Sequence, residues 1–81
     1  MNNKLHDQSL IFEKIRSLEY VQSLSKHEQL VQGILDSIDA GNLNANDILP
    51  SVNSMVKELG YARVTIVKAY KELIERGVIA S

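Results

Sequence analysis

Hydrophobic residues recur at helical spacing in four segments of the chain. In the clearest segment the apolar positions recur every three or four residues, as on one face of an α-helix. Ser25 and Glu28 precede this stripe with the spacing of a capping box, in which each side chain bonds the other's backbone amide. Gly41 can take the left-handed conformation that ends a helix. The stripe consists of Leu30, Val31, Ile34, Leu35 and Ile38.

Gly33 lies in the middle of this predicted helix. A glycine there costs up to about 1 kcal/mol relative to alanine. Close packing of another segment against Gly33 would explain its presence.

A second, shorter helix is predicted from Pro50–Ser51 to Gly60. The Ser51 hydroxyl can cap its first turn, and Gly60 is suited to end it. The connection before it contains Asn46, a candidate for positive φ, and two predicted core anchors, Leu43 and Leu49. The inner face of the helix is formed by Val52, Met55, Val56 and Leu59.

A third helix is predicted from about Ala62 to Arg76, and Gly77 ends it. At 100° per residue its positions fall into three groups. The inner group is Ile66, Ala69, Tyr70 and Leu73. The outer group is Val64, Lys68, Lys71 and Glu75. The flanks are Arg63, Thr65 and Val67. After Gly77, the letters VIAS indicate the start of an extended segment.

The first segment, from Gln8 to about Gln22, has a weaker pattern. Ile11, Ile15 and Leu18 fit one helical stripe, but the apolar run at 10–12 also suits a strand. Residues 1–24 are therefore expected to form a helical N-terminal extension. A strand, or folding only within a full-length dimer, stays open as an alternative.

The predicted fold is all-α, with a three-helix core drawn mainly from the second to fourth segments. One small domain is expected from 81 residues of which 44% are hydrophobic. The expected core is Leu30, Val31, Ile34, Leu35, Ile38, Leu49, Val56, Leu59, Ile66, Ala69, Tyr70 and Leu73.

Composition argues against an enzyme, a metal site or a bound cofactor. The chain has no cysteine, which excludes disulfides and thiolate chemistry and fits a cytoplasmic protein. No apolar run is long enough to span a membrane, and the polar stretch MNNKLHDQ lacks the apolar core of a signal peptide. His6 and His27 are isolated, and no nucleophile, base and orienting group fall together near Asp36, Asp39 or Asp47.

The two short helices joined by GYA form a helix-turn-helix pattern. In that motif the second helix enters the DNA major groove with its N-terminal residues toward the bases. An arginine can bond guanine, and an apolar side chain can contact the thymine methyl. This predicts base contacts from Arg63, Val64, Val67 and Lys68, with Lys71 near the DNA backbone.

Charge placement supports this interpretation more than total charge does. Nine basic and ten acidic residues give a formal net charge of −1, whereas DNA-binding domains are usually basic. The outward-facing basic residues of the last helix, Arg63, Lys68 and Lys71, nevertheless precede Glu72 and Glu75. Lys68 and Lys71 could instead pair with these two glutamates at helical spacing.

Residues Lys26 to Ile79 resemble the DNA-binding domain of the GntR family of bacterial transcription regulators. The resemblance rests on the stretches KHEQLVQGILDSIDAGNL and ILPSVNSMVKELGYARVTIVKAYKELIERGVI. It implies a winged helix-turn-helix in a homodimer that binds palindromic duplex DNA, with a C-terminal domain for a metabolite effector. It also implies DNA contacts from Ser51, Arg63 and Thr65, with Ser51 and Thr65 on phosphates.

The chain departs from the family pattern at three positions on this surface. Asn53 and Val67 stand where the family often has arginine, and Ala62 stands where it usually has serine or threonine. A helix cap, a phosphate contact and two cationic contacts are therefore expected to be missing. Asn53 still belongs to the predicted DNA-binding surface.

The resemblance also suggests a domain division. Residues 25–81 are expected to form a truncated helix-turn-helix domain whose wing is missing, and the chain is expected to be an N-terminal part of a longer regulator whose effector domain is not present. The predicted function is sequence-specific DNA binding in a metabolite-responsive regulator. The alternative is a helical protein-interaction or dimerisation module, with Val64 and Val67 on the partner surface.

Overall fold

The architecture was obtained as a computed structural model, which describes residues 8–21, 23–41, 43 and 49–79. Within these residues there are four α-helices, a 3₁₀-helix and no strand, which confirms the predicted all-α class. The expectations for His6, Asn46 and Asp47 lie outside the described residues. The helices are α1 (Gln8–Ser17), α2 (Lys26–Asp39), α3 (Val52–Leu59) and α4 (Arg63–Glu75), and the 3₁₀-helix is Leu18–Tyr20.

Within the N-terminal segment, residues Gln8–Ser17 form a helix and not a strand. Helix α1 packs mainly on α2 and touches α3. Ile11, Phe12 and Ile15 are buried in the same hydrophobic cluster as the other helices. The α-helix is shorter than the predicted 8–22, because the chain tightens into the 3₁₀-helix after Ser17.

Helix α2 begins as its sequence predicts. The Ser25 hydroxyl accepts a hydrogen bond from the Glu28 amide at 3.1 Å, and the Glu28 carboxylate accepts one from the Ser25 amide at 2.8 Å. This reciprocal pair satisfies two donors that a helix N-terminus leaves unpaired. Gly41 has a φ of 81° just after the helix.

Gly33 is the point of closest approach between α1 and α2. A Cβ placed on Gly33 would lie 2.4 Å from Ile15 Cγ1 and 2.9 Å from Ile15 Cα. The second atom belongs to the backbone, so a change of side-chain rotamer alone cannot relieve the overlap. The close packing suggested by a glycine in the middle of this helix is therefore present.

Gly33→Ala is expected to lower the free energy of unfolding by about 1–2 kcal/mol. Overpacking of a core costs about 1–3 kcal/mol, and the better helix propensity of alanine offsets up to about 1 kcal/mol of that. Urea unfolding of both proteins measures the difference. The exposed neighbour Gln32, changed to alanine, serves as the control and should move stability by no more than about 0.5 kcal/mol. A Gly33→Ala protein as stable as the parent would contradict this packing.

Helix α3 is held at both ends. The Ser51 hydroxyl accepts a hydrogen bond from the Ser54 amide at 3.0 Å and caps the first turn. Gly60 takes a φ of 74° at the other end. The Arg16 guanidinium of α1 donates to the Glu58 carbonyl at 2.8 Å, where a cation also complements the negative end of the helix dipole.

The predicted inner face of α4 is confirmed, since Ile66, Ala69 and Leu73 are buried. Six of the residues expected in the core are half-buried and pack against it. Those six are Leu35, Ile38, Leu49, Val56, Leu59 and Tyr70. Four further buried residues, Ile11, Ile15, Leu43 and Met55, were predicted to lie on apolar stripes or to act as anchors, although outside the expected three-helix core. Phe12, Tyr61 and Ile79 are also buried, which the sequence pattern did not predict.

The chain after α4 turns back onto the core. The Val78 amide donates to the Leu73 carbonyl at 2.9 Å, with Gly77 at a φ of 74°. Residues 78–79 form a bend with Ile79 buried. The extended segment expected after Gly77 is thus a helix-ending turn as far as Ile79.

Candidate nucleic-acid interface

The turn between α3 and α4 is anchored to α2 by Tyr61. Its ring is buried, its hydroxyl donates to the Gln29 side-chain oxygen at 3.0 Å, and the Lys26 ammonium lies 4.9 Å from the ring centroid. Burial raises the pKa of the Tyr61 phenol above its ordinary value, so the hydroxyl stays a hydrogen-bond donor at neutral pH. This anchor fixes where α4 begins.

A second tyrosine ties α4 to the start of α3. The Tyr70 hydroxyl donates to the Pro50 carbonyl. Burial raises the pKa of the Tyr70 phenol well above its usual range, which keeps the donor proton in place. Tyr70 thus ties α4 to the start of α3, and Tyr61 ties the turn between the two helices to α2.

The outer face of α4, defined here as Arg63, Val64, Val67, Lys68 and Lys71, is exposed along its length. Val64 is 64% exposed and Val67 is 45% exposed. Scattered single apolar residues are normal on protein surfaces, but these two lie three residues apart on one helix, among cations. Thr65 is half-buried at the edge of this face.

The cations of the outer face are not neutralised by ion pairs with other described residues. The ion pairs among the described residues are Arg16–Glu58, His27–Glu72 and Arg76–Glu72. None of them involves Arg63, Lys68 or Lys71.

The pairing of Lys68 with Glu72 that helical spacing allowed is not formed. Glu72 instead turns toward α2 and accepts from the His27 ring, and it also pairs with Arg76 at 2.7 Å. The hydrogen bond from His27, with a smaller contribution from Arg76, lowers the pKa of the Glu72 carboxyl. Glu72 is thus occupied on the side of α4 that faces α2.

Asn53 and Arg63 are joined by a bond that sequence reasoning missed. The Arg63 guanidinium donates to the Asn53 side-chain oxygen at 2.5 Å. The bond links the first turn of α3 to the first residue of α4. Nothing in the ten-residue spacing signals it, because the two side chains meet only through the angle between the helices.

Ser51 is exposed beside this bond. Its hydroxyl accepts from the Ser54 amide at 3.0 Å and donates to the Ser54 hydroxyl at 3.1 Å. The structure therefore groups Ser51, Asn53 and Arg63 at the N-terminal ends of α3 and α4. The positive ends of both helix dipoles favour an anion here.

Helix α4 begins without a side-chain cap. Ala62 has a φ of −64° and a ψ of 142°, close to the −66° and 161° of the capping residue Ser51. The Thr65 amide bonds the Ala62 carbonyl at 3.0 Å instead of a side chain. The missing cap expected from the sequence is confirmed.

Ala62→Ser is expected to raise the free energy of unfolding by about 1 kcal/mol, since the backbone already has capping geometry and a new hydroxyl can accept from a first-turn amide. Thermal unfolding followed by circular dichroism measures the gain. Ser51→Ala removes an existing cap and should lower the free energy of unfolding by a comparable amount. A loss of stability in Ala62→Ser would show that the start of α4 is not an open N-cap.

No described helix is both long enough and apolar enough to cross a membrane. Over the same residues, His, Cys, Asp and Glu side chains do not gather in threes that could hold a metal ion. A cavity of about 330 Å³ lies between α2 and α4, and none of the outer-face residues line it.

Comparison with known proteins gives one match. The model of a family described as "Bacterial regulatory proteins, gntR family" matches residues 26–81. No curated protein and no solved structure matches the chain. The matched segment contains α2, α3 and α4, and hence the whole helix-turn-helix and its outer face.

Proposed function

The chain belongs to the gntR family of bacterial regulatory proteins, and from that premise we propose that it binds a specific duplex DNA sequence through the outer face of α4. The family accounts for a DNA-binding regulator fold with a helix-turn-helix. The proposal adds the residues that contact DNA, the symmetry of the site and the response to an effector.

One observation carries the proposal. The second helix of the helix-turn-helix presents exposed Val64 and Val67 beside Arg63, Lys68 and Lys71, and these cations are free of ion pairs among the described residues. Major-groove contacts use such a mixture, because arginine bonds guanine and apolar groups contact the thymine methyl. A helix that faces only water gains nothing from two exposed valines.

The contacts divide into two kinds. Arg63, Val64, Val67 and Lys68 face base edges, where the sequence is recognised. Ser51, Thr65 and Lys71 lie at the margins and contact phosphates, which fix the register of the protein on the duplex. Asn53 lies on the same surface and accepts a hydrogen bond from Arg63.

The proposal extends to the intact regulator. Two copies bind the two halves of a palindromic operator in the cytoplasm, since a symmetric dimer matches a symmetric site. A C-terminal domain binds a small metabolite and changes DNA affinity.

Selection of duplexes from a random pool with the full chain tests DNA binding directly. One enriched motif is expected, containing guanine next to thymines. Enrichment of no motif, by this chain or by the intact regulator, would overturn the proposal.

The affinity for duplex DNA is expected to depend only weakly on salt. Three cations lie on the outer face, so log K should fall with log salt with a slope no steeper than about −3 per bound chain. Fluorescence anisotropy at several salt concentrations measures the slope. A slope near −10 per chain would show that another, more basic surface binds the DNA.

The alternative is a protein-interaction module, favoured by the exposure of Val64 and Val67 and the net charge of −1. In that case the valines bind a protein partner. Analytical ultracentrifugation distinguishes the two functions. If the alternative holds, Val64→Lys abolishes self-association or partner binding and leaves DNA binding unchanged.

A further inference from the structure

We propose that Asn53 is a positioning residue: it holds the Arg63 guanidinium in the orientation that contacts a base and does not itself bind DNA. This rests on the proposed function and assigns the means by which the surface selects its sequence. The observation behind it is the hydrogen bond of 2.5 Å between the Arg63 guanidinium and the Asn53 side-chain oxygen.

The neutral amide oxygen of Asn53 can hold an arginine in place without neutralising its positive charge. Arginine has five N–H donors, and the Asn53 amide oxygen engages one nitrogen while carrying no charge. A carboxylate at the same place would neutralise the guanidinium and compete with DNA for it. Asn53 thus leaves the full positive charge and most of the donor fork of Arg63 for guanine.

Hydrogen bonds hold the backbone on both sides of the Asn53–Arg63 contact. The Ser51 cap fixes the first turn of α3, where Asn53 lies. Tyr70 binds the Pro50 carbonyl just before that turn, and Tyr61 anchors the turn before Arg63 to α2. Each partner in the bond therefore starts from a backbone position that tertiary contacts hold.

Holding Arg63 before binding reduces the ordering that DNA binding must impose. Immobilising one side chain with many rotamers weakens association by about 2- to 12-fold. Asn53→Ala is therefore expected to lower affinity for the selected duplex by about 2- to 12-fold. It should also weaken the preference at the base pair that Arg63 contacts.

The first test needs no DNA. Nitrogen-15 relaxation of the Arg63 Nε reports the mobility of its side chain, and Asn53→Ala should increase that mobility markedly. Lys57→Ala is the matched control, one turn further along α3 and also exposed. Equal Arg63 mobility in the parent, Asn53→Ala and Lys57→Ala would overturn the positioning role whatever the protein binds.

The second test is a double-mutant cycle on the selected duplex, measured by anisotropy. Asn53→Ala should weaken binding in the parent, but by less than about 2-fold when Arg63 is already alanine, because its effect acts through Arg63. Equal losses in both backgrounds would show that Asn53 contacts DNA directly, and the positioning role would be wrong.

A conservative variant separates the role in orientation from any loss of folding. Asn53→Asp keeps an acceptor of the same length, so Arg63 Nε should stay as immobile as in the parent, while the new negative charge lowers affinity for all duplexes. Mobility of Arg63 in Asn53→Asp as high as in Asn53→Ala would contradict the proposal. If the parent selects no duplex, the proposed function fails, whereas the relaxation experiment still decides the role of Asn53.

Discussion

Ile15→Ala is expected to lower the free energy of unfolding by about 2–5 kcal/mol, the range for truncating a fully buried isoleucine to alanine. Ile15 is 0% exposed and packs directly on Gly33 of α2. The tight contact leaves a cavity when the side chain is cut back, because α1 cannot move closer to α2 than the backbone at Gly33 allows. Urea unfolding measures the change.

Ile74→Ala is the matched control for this prediction. It removes the same atoms from α4 at a position that is 38% exposed, so it should cost clearly less. Equally small losses of the free energy of unfolding in Ile15→Ala and Ile74→Ala would mean that α1 does not pack on α2. A small domain has only limited stability to lose, so the larger loss should be visible as a shifted unfolding midpoint.

The stability of α1 also bears on the proposed DNA-binding surface. Arg16 lies next to Ile15 on α1, and its guanidinium bonds the Glu58 carbonyl in the last turn of α3. The helix that precedes the family segment at 26–81 thus supports the first helix of the helix-turn-helix. Residues 8–17 are expected to be needed for the stability of the DNA-binding unit.

Arg63→Ala is expected to weaken binding to the selected duplex by about 1–3 kcal/mol, the range for losing a paired contact to guanine. Arg63 is exposed, so the variant should fold as the parent does. Binding should weaken most on the best sequence and little on unrelated duplexes, because a base contact discriminates whereas a phosphate contact does not. Anisotropy with both kinds of duplex measures this difference.

Lys14→Ala provides the control for charge. It removes one positive charge from α1, on a different element from the outer face, and should change affinity for both duplexes slightly and equally. Unchanged operator binding in Arg63→Ala would show that α4 does not place this residue in the groove.

The ends of α2 and α3 and the faces of α4 follow from the amino-acid sequence alone. The Ser25–Glu28 box, the Ser51 cap and the left-handed Gly60 all depend on atoms within three or four residues of each other. The inner and outer sides of α4 follow from the helical period alone. The helix-turn-helix pattern then predicted the base-facing residues of α4, and the resemblance to the family's motif implied the contacts from Ser51 and Thr65.

Contacts between side chains of different helices depend on how the helices pack. Asn53 and Arg63, His27 and Glu72, and Arg16 and Glu58 lie 10, 45 and 42 residues apart, respectively. Their contacts depend on how far apart the helices lie and how they are rotated. That arrangement comes from packing the whole core, including the α1–α2 contact at Gly33, and a periodic pattern in one segment carries no information about the position of another.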